Sequence, residues 1–103
     1  MTPYFFVISQ KALRNFAKKY ADAAAPLRSW LKLVRHGHFQ NLAKLKQTFP
    51  SVDMVPVKDL DFYVFNIGGN KYRLIAAIHF NTQILFVRHI LTHSEYDSGK
   101  WKQ

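Results

Sequence analysis

The sequence predicts a single α+β domain in which N-terminal helices pack on a twisted, mainly antiparallel sheet, with a short helical turn near the C-terminus. Three observations predict it. Apolar residues recur at helical spacing through the first half of the chain. Aromatic and β-branched runs separated by turn residues fill the second half. The length, 103 residues, is enough for one core and too short for two ordinary domains.

Tyr4 to Ile8 reads as a short strand, and Ser9 as the cap of a helix that carries Leu13, Phe16, Ala17 and Tyr20 on one face. Lys11, Arg14, Lys18 and Lys19 are left for its solvent side. Asp22 is the next candidate N-cap, and Pro26 falls in the first turn of the following helix, where a missing N–H breaks no intrahelical bond. Leu27, Trp30, Leu31 and Val34 repeat the apolar spacing, and Gly37 suits a C′ stop, with Arg35 and His36 near the negative end of the helix dipole. Asn41 starts a short third helix with Leu42, Leu45 and Phe49, ended by Pro50. Ser51 to Asp61 is acidic and contains Pro56. It reads as a loop crossing to the sheet, with Met54, Val55 and Val57 either tucked beneath it or forming a marginal strand.

Phe62 to Asn66 is a strand, Gly68-Gly69-Asn70 a turn, Lys71 to Phe80 the hairpin partner, and Ile84 to Leu91 the third strand of a meander. Period 2 places Tyr72, Leu74, Ala76, Ile78 and Phe80 on one face, against the helices. Lys71, Arg73, Ile75, Ala77 and His79 lie on the other, which begins with two cations and is the ligand face. Thr92-His93-Ser94-Glu95 fits a capping box, so a helical turn starts there with His93 and Tyr96 on one side.

The formal charge is +9, and such an excess on a small domain favours polyanionic partners. Residues 1–49 carry nine cations and one acid, whereas residues 71–103 carry five cations and two acids. Charge alone reports a class of partner and no reaction. The chain has no cysteine, which excludes disulfides and Cys-ligated metal sites. No apolar stretch approaches the roughly 20 residues that span a bilayer, and Met1 to Ile8 lacks the features of a signal peptide. The expectation is a soluble, unprocessed, cytoplasmic protein with no membrane partner.

The chemistry concentrates in two blocks, FNIGGNKYRLIA from Phe65 to Ala76 and VRHILTHSEYD from Val87 to Asp97. Cleavage of RNA by its own 2′-hydroxyl requires a base for that hydroxyl, cations for the phosphate and an acid for the departing 5′-oxygen, and it needs no metal or other cofactor. Arg73 and Arg88 supply a rigid, forked grip on phosphate, and Lys71 a mobile one. His93 and Tyr96 supply the proton transfers. Each has a plainer reading: His93 as a residue of an exposed turn, Tyr96 as sheet packing, and the arginines as partners of Asp97, Glu95 or the acidic loop. His89 alternates with Arg88, so it points to the opposite side in a structural role, and Asn70 is a natural turn residue that tolerates positive φ. His89 and His93 have metal-ligand spacing but straddle the strand end, and the GGN turn lacks the following helix of a phosphate-binding loop.

The two blocks together resemble the HigB toxins of bacterial toxin–antitoxin pairs, within the RelE-like group of mRNA interferases. V-I-S-x-K-A-L, A-P-L-x-x-W, T-F-P-S-x-D and the terminal G-K-W extend the likeness over nearly the full length. The resemblance implies a RelE-like fold, ribosome-dependent cleavage of translated mRNA, and inhibition by a HigA-type helix-turn-helix antitoxin, with operator DNA bound only through that antitoxin. The group's pattern of basic strand residues beside a C-terminal Tyr or His points to Arg73, then Lys71, Arg88, His93 and Tyr96. Asn70, Lys11, Lys18, Lys19, Lys100 and Lys102 are the further RNA-contact candidates, the helical cations docking the ribosome while the sheet face cuts the message. The rival expectation is a non-catalytic RNA- or DNA-binding module using the same basic surface.

Overall fold

The computed structural model describes residues 5–103. The first residue of the expected strand, Tyr4, lies outside that range. The elements run β1 (Phe6–Ile8), α1 (Gln10–Lys19), α2 (Ala24–His36), α3 (Leu42–Thr48), β2 (Asp53–Val57), β3 (Leu60–Ile67), β4 (Tyr72–His79), β5 (Ile84–Thr92) and α4 (His93–Asp97). Single 3-10 turns follow α1 at Ala21–Ala23 and end the chain at Lys100–Lys102. The five strands form one sheet in the order β1-β5-β4-β3-β2. β2 to β5 are antiparallel neighbours, whereas β1 pairs with β5 in parallel through Phe6↔Ile84, Val7↔Leu85 and Ile8↔Phe86.

The apolar stripes of the helices meet one face of this sheet. Leu13, Leu27, Trp30, Val34 and Leu45 are buried with Phe65, Ile67, Tyr72, Leu74, Ala76 and Leu85 in one cluster. Trp30 meets Phe65 edge-on at 5.4 Å, and Phe49 meets the same ring at 5.1 Å. Each such pair adds about 0.5–1.5 kcal/mol beyond burial of its area. Packing thus chooses the face that period 2 in β4 predicts.

Some local expectations hold, and others give way to longer-range contacts. The segment with Met54, Val55 and Val57 is a strand, β2, because pairing with β3 from Asp53↔Val64 to Val57↔Leu60 satisfies its backbone. Asp22 caps no helix: α2 begins at Ala24 after Ala23, and the Asp22 carboxylate turns to the sheet. Ser9 precedes α1 without a side-chain capping bond. Asn41 does cap α3, its side chain accepting from the Lys44 amide at 2.9 Å. Gly37 ends α2 in an extended conformation, φ −87, and not in the left-handed C′ geometry. What demands glycine there is space, since a Cβ would collide with the Phe39 ring and with the Leu33 carbonyl. In the β3–β4 turn the positive φ angles fall on Gly68 and Gly69, at 64 and 70, so Asn70 is not needed for the left-handed position.

Candidate functional site

Of the residues expected to carry chemistry, the face of the sheet away from the helices brings together Arg73, Arg88 and Tyr96. Residues directly opposite one another in an antiparallel ladder share a face. The pairs Asn66↔Arg73↔Leu91 and Asp53↔Val64↔Ile75↔His89 therefore form two adjacent rows on it. Ile75 and Val64 are buried here, outside the main core. The cover comes from the C-terminal segment, in which Tyr96 and Trp101 stack at 5.5 Å with rings 16° apart. The Trp101 indole N–H donates to the Tyr96 carbonyl at 3.2 Å, fixing the turn that carries it. The last residues thus pack against the body.

Arg73 is the best-anchored cation of the site. Its Nη1 donates to the Asn70 and Tyr72 carbonyls, both at 3.2 Å, and its Nη2 to Asn70 Oδ1 at 2.8 Å. The guanidinium carbon lies 5.6 Å from the centre of the Tyr96 ring. Three of five N–H donors are thereby engaged, leaving Nε–H and one proton of Nη2 for a ligand. Arg73 is only 8% exposed, yet among the described residues no carboxylate lies within ion-pair distance of it. A largely buried cation with neutral partners is costly, and an arriving anion relieves that cost.

Strand alternation fails at the next cation. Ile75 pairs with His89 but Ala76 pairs with Val87, so Arg88 is an extra residue in β5. Such a bulge breaks the period of 2. His89 consequently shares the face of Ile75 and Arg73, opposite to the expectation from alternation with Arg88. Arg88 is also on this side, its guanidinium 5.8 Å from the centre of the Phe62 ring. Part-burial and then the Arg88 charge hold the His89 imidazole below its usual range. Part-burial, Asp53 and Asp97 push the Tyr96 phenol above its usual range, against the opposing pull of Arg73.

Lys71 does not join this face. It belongs to the turn, and its Nζ reaches across to Asp22 Oδ2 at 2.9 Å, on the helical side. The same carboxylate accepts from the Tyr72 hydroxyl at 2.5 Å. The two hydrogen bonds, from Tyr72 and then Lys71, lower the Asp22 pKa, while the bond to Asp22 pushes the Tyr72 phenol up to about 12. Asn70, expected to contact RNA, spends its side-chain oxygen on Arg73.

Helix α4 starts with the anticipated capping box. Glu95 N–H donates to Thr92 Oγ1, and Thr92 N–H donates to the Glu95 carboxylate. Tyr96 is carried to Arg73 and Trp101. His93 is exposed and sits 3.4 Å from Asp97 through Nδ1. The cations Lys11, Lys18 and Lys19 are exposed on α1, and Lys100 and Lys102 on the terminal turn. Tyr20, at the end of α1, lines one cleft of about 680 Å³ with His89, Lys100 and Trp101, so the basic helix end adjoins the site. Among the described residues, no three His, Cys, Asp or Glu side chains come together as a metal-holding group, and no helix is long and apolar enough to cross a membrane. Sequence reasoning missed Phe62, His89 and Trp101 as members of the site. Trp101 in a cationic terminal segment was the one signal available.

Helices over one face of a mainly antiparallel sheet, with Arg73 beside Tyr96 on the other, make this an α+β protein. Residues 23–99 match the profile of the HigB toxins, described as the RelE-like toxic component of a toxin–antitoxin system, and the chain belongs to that family. It is 38% identical over 91 residues to the mRNA interferase toxin HigB of Escherichia coli (strain K12), covering 88% of this chain and 86% of that protein. The mRNA interferase HigB of Escherichia coli O6:H1 is 33% identical over 91 residues, covering 88% and 87%.

Proposed function

We propose that this protein is an mRNA interferase, an endoribonuclease that cuts translated mRNA on the ribosome and is held inactive by a HigA-type antitoxin. The observation that carries the reading is the Arg73 guanidinium, anchored by Asn70, aimed past Tyr96 and lacking a carboxylate partner among the described residues. A guanidinium so held is suited to grip a phosphate. The likeness to proteins named mRNA interferases supplies the substrate class.

In the proposed reaction the 2′-oxygen attacks the adjacent phosphorus while the P–O5′ bond breaks, giving a 2′,3′-cyclic phosphate and a 5′-hydroxyl. Arg73 and Arg88 neutralise the non-bridging oxygens in the crowded transition state. Tyr96 keeps its proton at neutral pH and so serves better as the acid for the 5′-oxygen than as a phenolate base. A histidine takes the 2′-hydroxyl proton. His93 stands on α4 beside Tyr96, and His89 on the sheet face beside Arg88, with a depressed pKa that keeps it neutral and able to accept. Each proton transfer contributes typically about 10²–10⁴-fold. The chemistry as proposed uses side chains alone. Lys71 is held by Asp22 and supplies at most an outer contact. Lys11, Lys18 and Lys19 provide ribosome attachment through ribosomal RNA phosphates.

Mapping of RNA ends in a translating extract tests the proposal. New cyclic-phosphate ends that disappear with Arg73→Ala support the enzyme. Binding to RNA without new ends sinks it and leaves a non-catalytic RNA-binding module.

A further inference from the structure

On the same sheet face as the proposed phosphate site, toward the β2–β3 hairpin, lies a second cleft of about 250 Å³, whose walls include Lys58, Phe62, Arg88, His89, Trp101 and Lys102. We propose that it is a nucleobase subsite, in which one unpaired base of single-stranded RNA packs between Trp101 and Phe62, flat on one ring and edge-on to the other, while the flanking phosphates meet Arg88, Lys58 and Lys102. The proposal rests on the RNA-cleaving reading and deepens it by naming where the message is gripped next to the scissile bond.

Two independent features favour this occupant. The first is the aromatic arrangement. Phe62 meets Trp101 edge-on at 6.2 Å and 81°, His89 meets the same indole at 6.5 Å, and Tyr96 lies flat against it. Both Phe62 and Trp101 remain part-exposed, so the cleft presents ring surface that the protein leaves uncovered. The second is charge. Lys102 Nζ lies 5.6 Å from the centre of the Trp101 ring and Arg88 stands over Phe62, and among the described residues no Asp or Glu side chain lines the cleft. Aromatic surface ringed by cations fits a ligand with a flat π-system and negative charge on either side, which describes a base within a single strand. An acidic peptide would satisfy the cations but offer no flat partner to the indole.

The bulge at Arg88 makes this geometry. With regular alternation either Arg88 or His89 would face the helices, and the cleft would lose one wall. The subsite is also continuous with the cleavage site, because Tyr96 contacts Arg73 on one side and Trp101 on the other. A base held on Trp101 therefore sets the register of the phosphate at Arg73, making base preference a property of Phe62 and Trp101.

The chain has two tryptophans, and Trp30 is only 3% exposed, so ligand-induced quenching of tryptophan emission reports on Trp101. The probe is a tetraribonucleotide with 2′-O-methyl sugars, which cannot be cleaved, set against an abasic chain of the same length and charge. Saturable quenching by the base-bearing probe and none by the abasic one is expected. Phe62→Ala, checked for native circular dichroism, should weaken binding about 5-fold or more, the low end of one base–aromatic stack. Phe62→Leu, which keeps apolar bulk, should show a similar loss. Equal quenching by the abasic probe, or wild-type affinity in both Phe62 variants, overturns the subsite. The cleavage reading fails separately: quenching without new RNA ends in a translating extract rejects the enzyme and keeps the subsite, whereas cleavage with equal quenching by both probes rejects the subsite alone.

Discussion

Asn70 Oδ1 accepts a 2.8 Å hydrogen bond from Arg73 Nη2, and with two backbone carbonyls it fixes the direction of this largely buried guanidinium on the sheet face away from the helices. Under the proposed function, Asn70 positions the guanidinium that grips phosphate. Asn70→Ala should lower single-turnover cleavage by about 10–100-fold while leaving thermal stability within about 1 kcal/mol, since misplacement of a catalytic group costs rate steeply. Asn70→Asp should lower it at least as far, because the new carboxylate pairs with Arg73 and competes with phosphate. Wild-type rates in both variants would remove Asn70 from the site.

The two histidines separate by pH. His89 has a depressed pKa, so if it accepts the 2′-hydroxyl proton the rate rises through an inflection below about 6.5, the ordinary imidazole value. His89→Gln should then abolish that inflection, and His93→Gln should preserve it. The opposite result assigns the base to His93. Tyr96→Phe keeps the ring on Trp101 and removes only the proton, so cleavage should fall about 10²–10⁴-fold without loss of fold.

Asp22, Lys71 and Tyr72 tie the turn before α2 to the start of β4, and this network titrates at both ends of the pH scale. The folded Asp22 pKa lies below its unfolded value, so its contribution is present above the unfolded pKa and is lost as pH falls through the lowered one. Tyr72 behaves in the opposite sense. Its pKa is raised to about 12, so its contribution is intact below about pH 10 and fades as pH climbs through 12. Urea midpoints measured against pH should show both arms. Asp22→Asn should flatten the acid arm, and Tyr72→Phe the alkaline one. An unaltered alkaline arm in Tyr72→Phe would contradict the assignment.

Gly37 offers a purely steric test. An added methyl meets the Phe39 ring and the Leu33 carbonyl, and Phe39 is buried, so Gly37→Ala should destabilise by about 1–3 kcal/mol in urea denaturation. Phe39→Leu in the same chain should recover part of that loss.

If α1 docks the ribosome as proposed, the attachment is ionic. Replacing Lys11, Lys18 and Lys19 by Ala should weaken association and reduce the slope of log K against log salt by about 2. A slope equal to that of the wild type would place the docking surface elsewhere.

The likeness between expectation and structure follows the range of the interactions involved. The helical stripe Leu27-Trp30-Leu31-Val34, the capping box at Thr92 and the side of β4 that carries Arg73 are all set by neighbours within a few residues, and each is found where the sequence puts it. Lys71 is different. Its partner Asp22 is 49 residues away, and a long flexible side chain at a strand end follows the nearest carboxylate more readily than the period of the strand. The Arg88 bulge is equally silent in sequence, since Val87-Arg88-His89-Ile90 has no glycine or other mark of an extra residue.

The sequence by itself determined the α+β class, the helical and sheet faces, and the capped turn that bears Tyr96. Those depend on periodicity, caps and turn chemistry, which are local. Only the tertiary structure decided that β1 lies parallel beside β5, that Arg88 and His89 share a face, that Asp22 draws Lys71 away from it, and that Trp101 closes over Phe62. These depend on register and on contacts between residues far apart in the chain, whose closure is favourable only once the core has fixed the sheet against the helices.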